Sequence, residues 1–479
     1  MIHFSKLNPK WARYFLKLFY LLIVTSVLYF FTSQWSYDDP YITYRYAKNI
    51  LNGIGFVYNP GELVLSTTTP LLALLLASLN WLWPNLPQLA ILIGSASLAA
   101  GGLILFQLAM DQHTPFIGWF CLLLYPIFPL TIITLGSETP LYLVLILGTI
   151  LTYQNKQYLW TGLLAGLAVL ARPDGVLLPI LLAVHFLFTT RRPVPWKAIF
   201  LFAGVNLAWF GFAWLYFGSP LPVTLAAKQH QGAMEISERF LPGFITTIKW
   251  YASSWGYQLD AILAVIGALY VVKFRRWFLV LVWTVTYFTA YSILGVSRYY
   301  WYYAPLVPGF VVLAGAGLNF LWEQRILITR HWVIALAGFV LVLFSAVSLT
   351  QLRDLWRFRN IQDERIPVYT EVGNWLYWHT PSDASVGALE VGTIGYFSNR
   401  RMIDFAGLIQ PDVASQLTQA TTYEDAAIYA VEHYFPDYVV LNIGIFPKLR
   451  EDLLTSRCQS LESFQNGNVA VELFKCRWK

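Results

Sequence analysis

The sequence predicts an α-helical polytopic membrane protein with about eleven transmembrane helices and a small extracytoplasmic α/β domain at its C-terminus. Three observations carry that prediction. Of 479 residues, 57% are hydrophobic and only 12% charged, whereas soluble domains carry about 25% charged residues. Apolar runs recur between residues 14 and 350, and several are long enough to cross a hydrocarbon core of about 30 Å. From Gln351 onward the character changes. This stretch holds 12 Lys/Arg and 16 Asp/Glu, net −4, leaving 20 of the 32 basic and 10 of the 26 acidic residues, net +10, in the rest. The basic excess reads as cytoplasmic loops of a membrane protein, and no nucleic-acid-binding module is visible.

The elements follow in order from the placement of cationic loops. Lys6, Lys10 and Arg13 hold the N-terminus in the cytoplasm. The run 14–34 crosses outward; it ends in aromatics rather than a cleavage site, so it is a span and not a signal peptide. A first outer loop, 35–67, follows. Three apolar runs come next, 68–83, 87–109 and 116–135, before Glu138, which lies one span ahead of the cationic Lys156 and so belongs outside. Three crossings would put Glu138 inside, so one run does not cross. The short 68–83 suits a juxtamembrane helix. Runs 158–171 and 176–189 form a short pair ahead of "RRPVPWK" (Arg191–Lys197). Runs 197–217 and 258–272 bracket a long outer loop and lead to "KFRRW" (Lys273–Trp277). Runs 277–294 and 303–321 bracket "VSRYYWYYAP", and 331–350, after Arg325 and Arg330, crosses outward. Trp35, Trp81, Trp83 and Trp301 stand at segment ends, where interface anchors belong.

The chain thus divides into a transmembrane part, 1–350, and an extracytoplasmic tail, 351–479. In the tail, β-rich runs ("DASVGALE", "RRMIDFAG", "PDYVVLN") alternate with helical patterns ("VYTEVGNWLYWHT", "YEDAAIYAVEHYF"), the mark of a small α/β domain. Cys458 and Cys476 can pair if the tail lies in an oxidising compartment.

The chemistry-bearing feature is the acid pair Asp38–Asp39, placed where the first span emerges. Ionised groups beside a bilayer are expensive and are often kept for function. One carboxylate of such a pair can take a proton from a hydroxyl nucleophile while the other holds a cation, and their repulsion raises one apparent pKa. The competing reading is a helix start, since Asp before "PYITYRYAKNIL" with Pro40 in the first turn is a strong capping signal. Glu138 in "GSETPLY" has the same two readings, site carboxylate or helix cap. The tyrosines Tyr37, Tyr41, Tyr44, Tyr299 and Tyr300, with Trp301, suit either a sugar site or an interface belt. The seven His are scattered with no zinc-binding spacing, and no GxxxxGK[ST] loop occurs.

"DDPYITYRYAKNILNGIGFVYNPGE" followed by "TTTPLLALLLA" resembles the first outer loop of the GT-C glycosyltransferases, integral membrane enzymes that use polyprenyl-phosphate sugars. The likeness is to the bacterial branch that includes the mycobacterial terminal arabinofuranosyltransferase and protein-mannosyltransferase-like enzymes. "GSETPLY", "GLAVLARPDGVLL" and "LEVGTIGYFSNRRMIDFAGLIQPDV" match in the same order. "LVLSTTTP" departs from the family's Gly-aromatic-Thr-Asn-Pro stretch, which bears on acceptor or sugar preference.

The resemblance implies a hexosyl- or pentosyltransferase of the bacterial plasma (inner) membrane, active in cell-envelope glycan or glycoconjugate synthesis. Its donor would be a polyprenyl-phosphate sugar and its acceptor a hydroxyl of a glycan, lipid or protein on the outer face. It assigns Asp38 or Asp39 as general base, with Asp38 preferred, and Glu138 as a facing carboxylate. Asp39 and Glu138 are the candidate ligands of a divalent cation, Mg or Mn. Arg298 and Arg172 are the candidate phosphate contacts, Arg172 having a turn pair with Asp174 as its other role. Tyr41, Arg45, Lys228 and His230 are candidate substrate contacts, and Arg45 has a loop carboxylate as its other partner. A single displacement would invert the anomeric centre. The rival class is a transporter or lipid flippase of envelope precursors, whose mark would be paired broken helices and charges at mid-membrane depth.

Overall fold

An apolar segment in lipid must satisfy its amides internally, so each predicted run should coil into helix. The computed structural model describes residues 9–235, 237–271, 277–327 and 329–478; Lys6 and the cations of residues 273–276 lie outside them. In chain order the helices are α1 (Pro9–Thr32), α2 (Asp39–Leu51), α3 (Pro70–Leu79), α4 (Leu86–Asp111), α5 (Pro115–Leu124), α6 (Pro129–Ile132) and α7 (Thr139–Gln154). Next come α8 (Tyr158–Ala171), α9 (Leu177–Thr189), α10 (Trp196–Phe217), α11 (Thr224–Ala233), α12 (Phe240–Ala252), α13 (Trp255–Val271) and α14 (Phe278–Leu294). Then follow α15 (Val307–Glu323), α16 (Arg330–Phe358), α17 (Arg365–His379), α18 (Gly392–Ser398), α19 (Pro411–Ser415), α20 (Tyr423–Tyr434) and α21 (Thr455–Arg457).

Every run expected to cross coincides with a helix. By length and composition five of the described helices suffice alone to span a membrane, six if the pair α12–α13, bent by 118°, counts as one. The other apolar helices are shorter, 10–17 residues. The run 116–135 is broken: α5 stops before Pro126, whose ring cannot extend the hydrogen-bond ladder, and α6 is a single turn. The run 68–83 yields only the 10-residue α3, half the length of a span. α16 continues to Phe358, past the change in charge at Gln351.

Side-chain contacts sort the helix ends. Lys17 of α1 meets Gln107 near the end of α4, and Tyr29 meets Gln88 near its start, so α1 and α4 are antiparallel. Gly94 of α4 lies against Pro140 and Gly148 of α7 faces Ile104, so α4 and α7 run parallel. Tyr153 at the end of α7 bonds His185 of α9 at 2.8 Å. Lys156 therefore shares an end of the bundle with the start of α1, while the acid pair and Glu138 share the opposite end. That is the charge segregation expected of a membrane-crossing bundle.

The tail forms strands β1 (Ser385–Ala388), β2 (Arg401–Asp404), β3 (Tyr438–Asn442), β4 (Cys458–Asn466) and β5 (Val469–Cys476), in the order β2-β1-β3-β5-β4. β1 pairs parallel with β2 and β3 through crossover helices; β5 pairs antiparallel with β3 and β4. Val386, Val439 and Val440 are buried, as strands covered on both faces require. The three strands and two long helices expected here are present. The β4–β5 hairpin is additional: β4 is a largely exposed edge strand whose polar sequence lacks an apolar alternation. Cys458 and Cys476 stand opposite each other in that ladder and are disulfide-bonded.

The turn after β2 is held by Asp404, which is fully buried. Its Oδ1 accepts from the Ala406 amide at 2.7 Å, and its Oδ2 from those of Leu408 and Ile409 at 2.6 and 3.3 Å. Asp404→Ala would strand all three donors. The expected outcome is a tail destabilised by at least about 2 kcal/mol, read as a lower thermal midpoint and faster proteolysis between residues 400 and 420; unchanged values would refute this role for the carboxylate.

Candidate functional site

Asp38 precedes α2 and Asp39 opens it, so their side chains diverge. Asp38 turns inward and is 4% exposed. Its Oδ2 accepts from the Gly392 amide at 2.8 Å and its Oδ1 from the Thr393 amide at 2.7 Å, both at the start of α18. A Cβ on Gly392 would lie 2.0 Å from the Asp38 carbonyl oxygen, so only glycine lets the two backbones approach this closely. Asp38 is therefore a pin between the first loop and the tail, and of the two acids it is Asp39 that lines the cavity.

Asp39 lines a cavity of about 390 Å³ at the end of the bundle opposite Lys156. Glu138 and Ser137 line it from the α6–α7 turn, and Arg172 and Asp174 from the α8–α9 turn. Lys228 of α11, Tyr291 of α14, and Trp301 and Tyr302 ahead of α15 complete the polar and aromatic lining, and Leu408 of the tail closes one side. Thr43, Thr67 and Thr69 form a hydroxyl cluster in the wall, with Thr43 and Thr69 oxygens 3.2 Å apart.

Two cations sit among these acids. Arg172 is buried and donates to Glu138 Oε1 at 3.1 Å and Asp174 Oδ2 at 3.0 Å, with Tyr291 Oη at 2.9 Å. The expected turn pair with Asp174 is present, and the same guanidinium also grips Glu138. Burial raises the Glu138 carboxyl above its usual range, with Arg172 opposing that rise. The Lys228 ammonium lies 3.7 Å from Asp39 and 4.0 Å from the Tyr299 ring centre. Burial works against its charge, but Asp39 and nearby hydroxyls outweigh it, so its pKa is raised. Trp301 stacks on Tyr299 at 4.5 Å and on Tyr37 at 5.8 Å.

The remaining candidates fall outside the cavity lining. Arg298 is 43% exposed and pairs with Glu238 at 2.5 Å, and its stem packs against Gly243; an exposed carboxylate captures it before it can reach the cavity. Arg45 is buried and donates to Tyr58, to Asn59 Oδ1 and, at 2.5 Å, to the Arg400 carbonyl. It ties the first loop to the tail and pairs with no loop carboxylate. Tyr41 packs edge-on against Tyr44 and Tyr396. His230 Nδ1 is spent on the Leu417 carbonyl at 3.0 Å. No group of three or more His, Cys, Asp or Glu able to hold a metal occurs among the described residues; Asp39 and Glu138 each face a cation of the chain instead.

Sequence reasoning missed Glu390, between β1 and α18. Arg365 Nη1 reaches its Oε1 at 2.7 Å and clasps Asp363 at 2.6 Å. Burial, then Asp38, push the Glu390 carboxyl up to about 8, against the pull of Arg365. "LEVGT" gave the signal: an acid two residues ahead of the glycine that meets Asp38.

Residues 357–474 match a family model described as a domain of unknown function, DUF8728. No curated protein matches the chain by sequence. Solved structures similar to it include ArnT from Cupriavidus metallidurans in the apo state, with 13% identity, TM-score 0.63, and 97% of this chain and 98% of that one covered. The same protein bound to undecaprenyl phosphate gives 13%, 0.61, and 98% of each chain. The Archaeoglobus fulgidus oligosaccharyltransferase in the apo form gives 14%, 0.59, and 91% and 70%. At these identities the likeness shows the fold, which is of the GT-C type.

Two outcomes are expected. Asp38→Ala should loosen the tail, seen as faster amide exchange in residues 391–399, while the bundle stays intact; unchanged exchange would sink its role as a pin. A carboxyl whose pKa rises on folding adds stability below its unfolded pKa and loses it as pH climbs through the folded one. The thermal midpoint should therefore fall between pH 4.5 and about 8, less steeply in Glu390→Gln; equal slopes would show that Glu390 does not titrate there.

Proposed function

We propose that this GT-C-fold chain is a glycosyltransferase that moves a sugar from a polyprenyl-phosphate donor to an acceptor hydroxyl on the outer face of a bacterial plasma membrane, in cell-envelope glycan synthesis. The observation that carries this reading is Asp39, a partly exposed carboxylate on a cavity at the bundle's outer end, with Lys228 beside it and the Arg172–Glu138 pair also lining the cavity. ArnT, solved with undecaprenyl phosphate, lends support through the shared fold.

In this mechanism Asp39 takes the proton from the acceptor hydroxyl as its oxygen attacks the anomeric carbon. The bond from that carbon to the phosphate oxygen breaks, and polyprenyl phosphate leaves with the electron pair. Lys228 and Arg172 stabilise the negative charge that develops on the leaving oxygen. Arg172 is already engaged by two carboxylates, which hold it in place and dilute its charge. A single displacement inverts the anomeric centre. The cavity suits a hexose or a pentose, and Trp301 offers a face on which the apolar side of a sugar can pack.

Charge balance bears on the metal. The lining acids Asp39, Glu138 and Asp174 outnumber Arg172 and Lys228, so an entering phosphate meets net negative charge unless Glu138 holds a proton. The carboxylates do not preform a metal site, and no step of the mechanism is routed through an ion. A Mg or Mn ion carried by the donor phosphate would find Asp39 and Glu138 as its protein ligands.

Orientation follows the same reading. The cationic turns 155–157 and 190–197 face the cytoplasm, and the disulfide-bonded tail, 351–479, lies outside with the acid pair.

Asp39→Asn is expected to leave the protein folded and inserted while lowering transfer from a panel of undecaprenyl-phosphate hexoses and pentoses by at least about 100-fold. Full activity in this variant would reject the assignment of the base. Chelation by EDTA should depress transfer, with Mg or Mn restoring it; transfer unaffected by EDTA would leave the counter-charge to Lys228 and Arg172 alone.

A further inference from the structure

The tail does more than cover the bundle, since Leu408 lines the cavity and the segment after β1 rests on Asp38. That segment is fixed by three hydrogen bonds. Tyr58 donates to the Val391 carbonyl at 2.7 Å, and the amides of Gly392 and Thr393 donate to Asp38. Glu390 is the residue just ahead of these anchors. Val391 after it is buried and Leu389 before it partly so, while its side chain is 28% exposed and that of Arg365 is 40% exposed. Asp39, 35% exposed, is the other open acid of this corner.

A third carboxyl beside two others weakens the fold unless something compensates it. Arg365 compensates in part, but it divides its charge between Glu390 and Asp363. Both Asp38 and Asp39 act on the Glu390 carboxyl, and Asp39 also acts on Tyr299 and Tyr300. The result is an accessible set of a carboxyl, a guanidinium and aromatic faces next to the proposed base. A saccharide presents neighbouring hydroxyls that both donate and accept, and an apolar face. A carboxyl braced by an arginine supplies both an acceptor and donors for such hydroxyls.

We infer that the C-terminal module supplies the acceptor side of the reaction centre, with Glu390, braced by Arg365, binding a hydroxyl-bearing saccharide acceptor and turning it toward Asp39. This rests on the transferase reading and deepens it: the acceptor class is a carbohydrate, held by the tail, while the donor phosphate is held by the bundle. Glu390 is raised to about 8 by burial and by Asp38, so near neutral pH it carries a proton and can donate as well as accept.

The test uses the full chain in nanodiscs and methyl glycosides of glucose, mannose and arabinose as probes, with glycerol as control. Amide exchange in residues 363–366 and 389–393 should slow at least twofold with at least one glycoside and not with glycerol. The effect should be lost in Glu390→Gln and partly regained in Glu390→Asp. No protection by any glycoside, or equal protection in Glu390→Gln, overturns the inference, whatever the transfer assay gives. In that assay, Glu390→Gln should raise the KM for the glycoside tenfold or more while the donor KM stays near that of the wild type; a parallel rise in both overturns it. Protection without transfer from any donor of the panel would leave the saccharide site standing and reject the transferase reading instead.

Discussion

The carboxylate of Asp38 governs the geometry of the outer surface. Two backbone amides converge on it from α18, at a glycine that tolerates no side chain. Around this contact the first loop and the tail interlock through further hydrogen bonds and an ion pair. Asn59 both donates to and accepts from the Met402 backbone, at 2.8 and 2.9 Å, in the manner of a neighbouring strand. Arg401 reaches Glu62 at 2.6 Å and Lys48 the Tyr396 carbonyl at 2.9 Å. Because Asp38 is committed inward, Asp39 is left to face the cavity. One acid of the pair fixes the scaffold and the other lines the cavity beside Lys228.

The cavity shows a related division among its cations. Arg172 is enclosed by two carboxylates, Glu138 and Asp174, and by tyrosine hydroxyls. Lys228 is held more loosely, by one carboxylate and an aromatic face. A cation with a full set of partners orients its neighbours; one with a single distant partner can change partners when a new anion arrives. Under the proposed transferase reading, this asymmetry favours Lys228 over the exposed Arg298 as the contact of a phosphate.

Much of this was legible in the sequence. Long apolar runs and cationic loops gave the helices and their alternation, and β-rich runs in the tail gave its parallel strands. The block from Asp38 to Glu62 and the tail block were both visible, and they turn out to be the two halves of one interface. Which acid faces the cavity was not legible, because it depends on the tail amides that meet Asp38 across more than 350 residues of chain. That Arg45 and Arg298 stand outside the cavity lining was hidden for a similar reason. A residue's type says it can bind an anion or a carbonyl, and only packing says which one is nearest. Polar β4 escaped because an exposed edge strand has no apolar face to leave an alternation.

The 29 residues of α16 form one uninterrupted helix. At 1.5 Å per residue that is about 43 Å, some 13 Å more than a hydrocarbon core of about 30 Å. The surplus acts as a standoff post. In the proposed orientation it would set the altitude at which the tail rides above the lipid, near the depth where headgroups begin. A polyisoprenoid lying in the bilayer would then offer its polar end at the level of the chamber, without having to be lifted out of the oil.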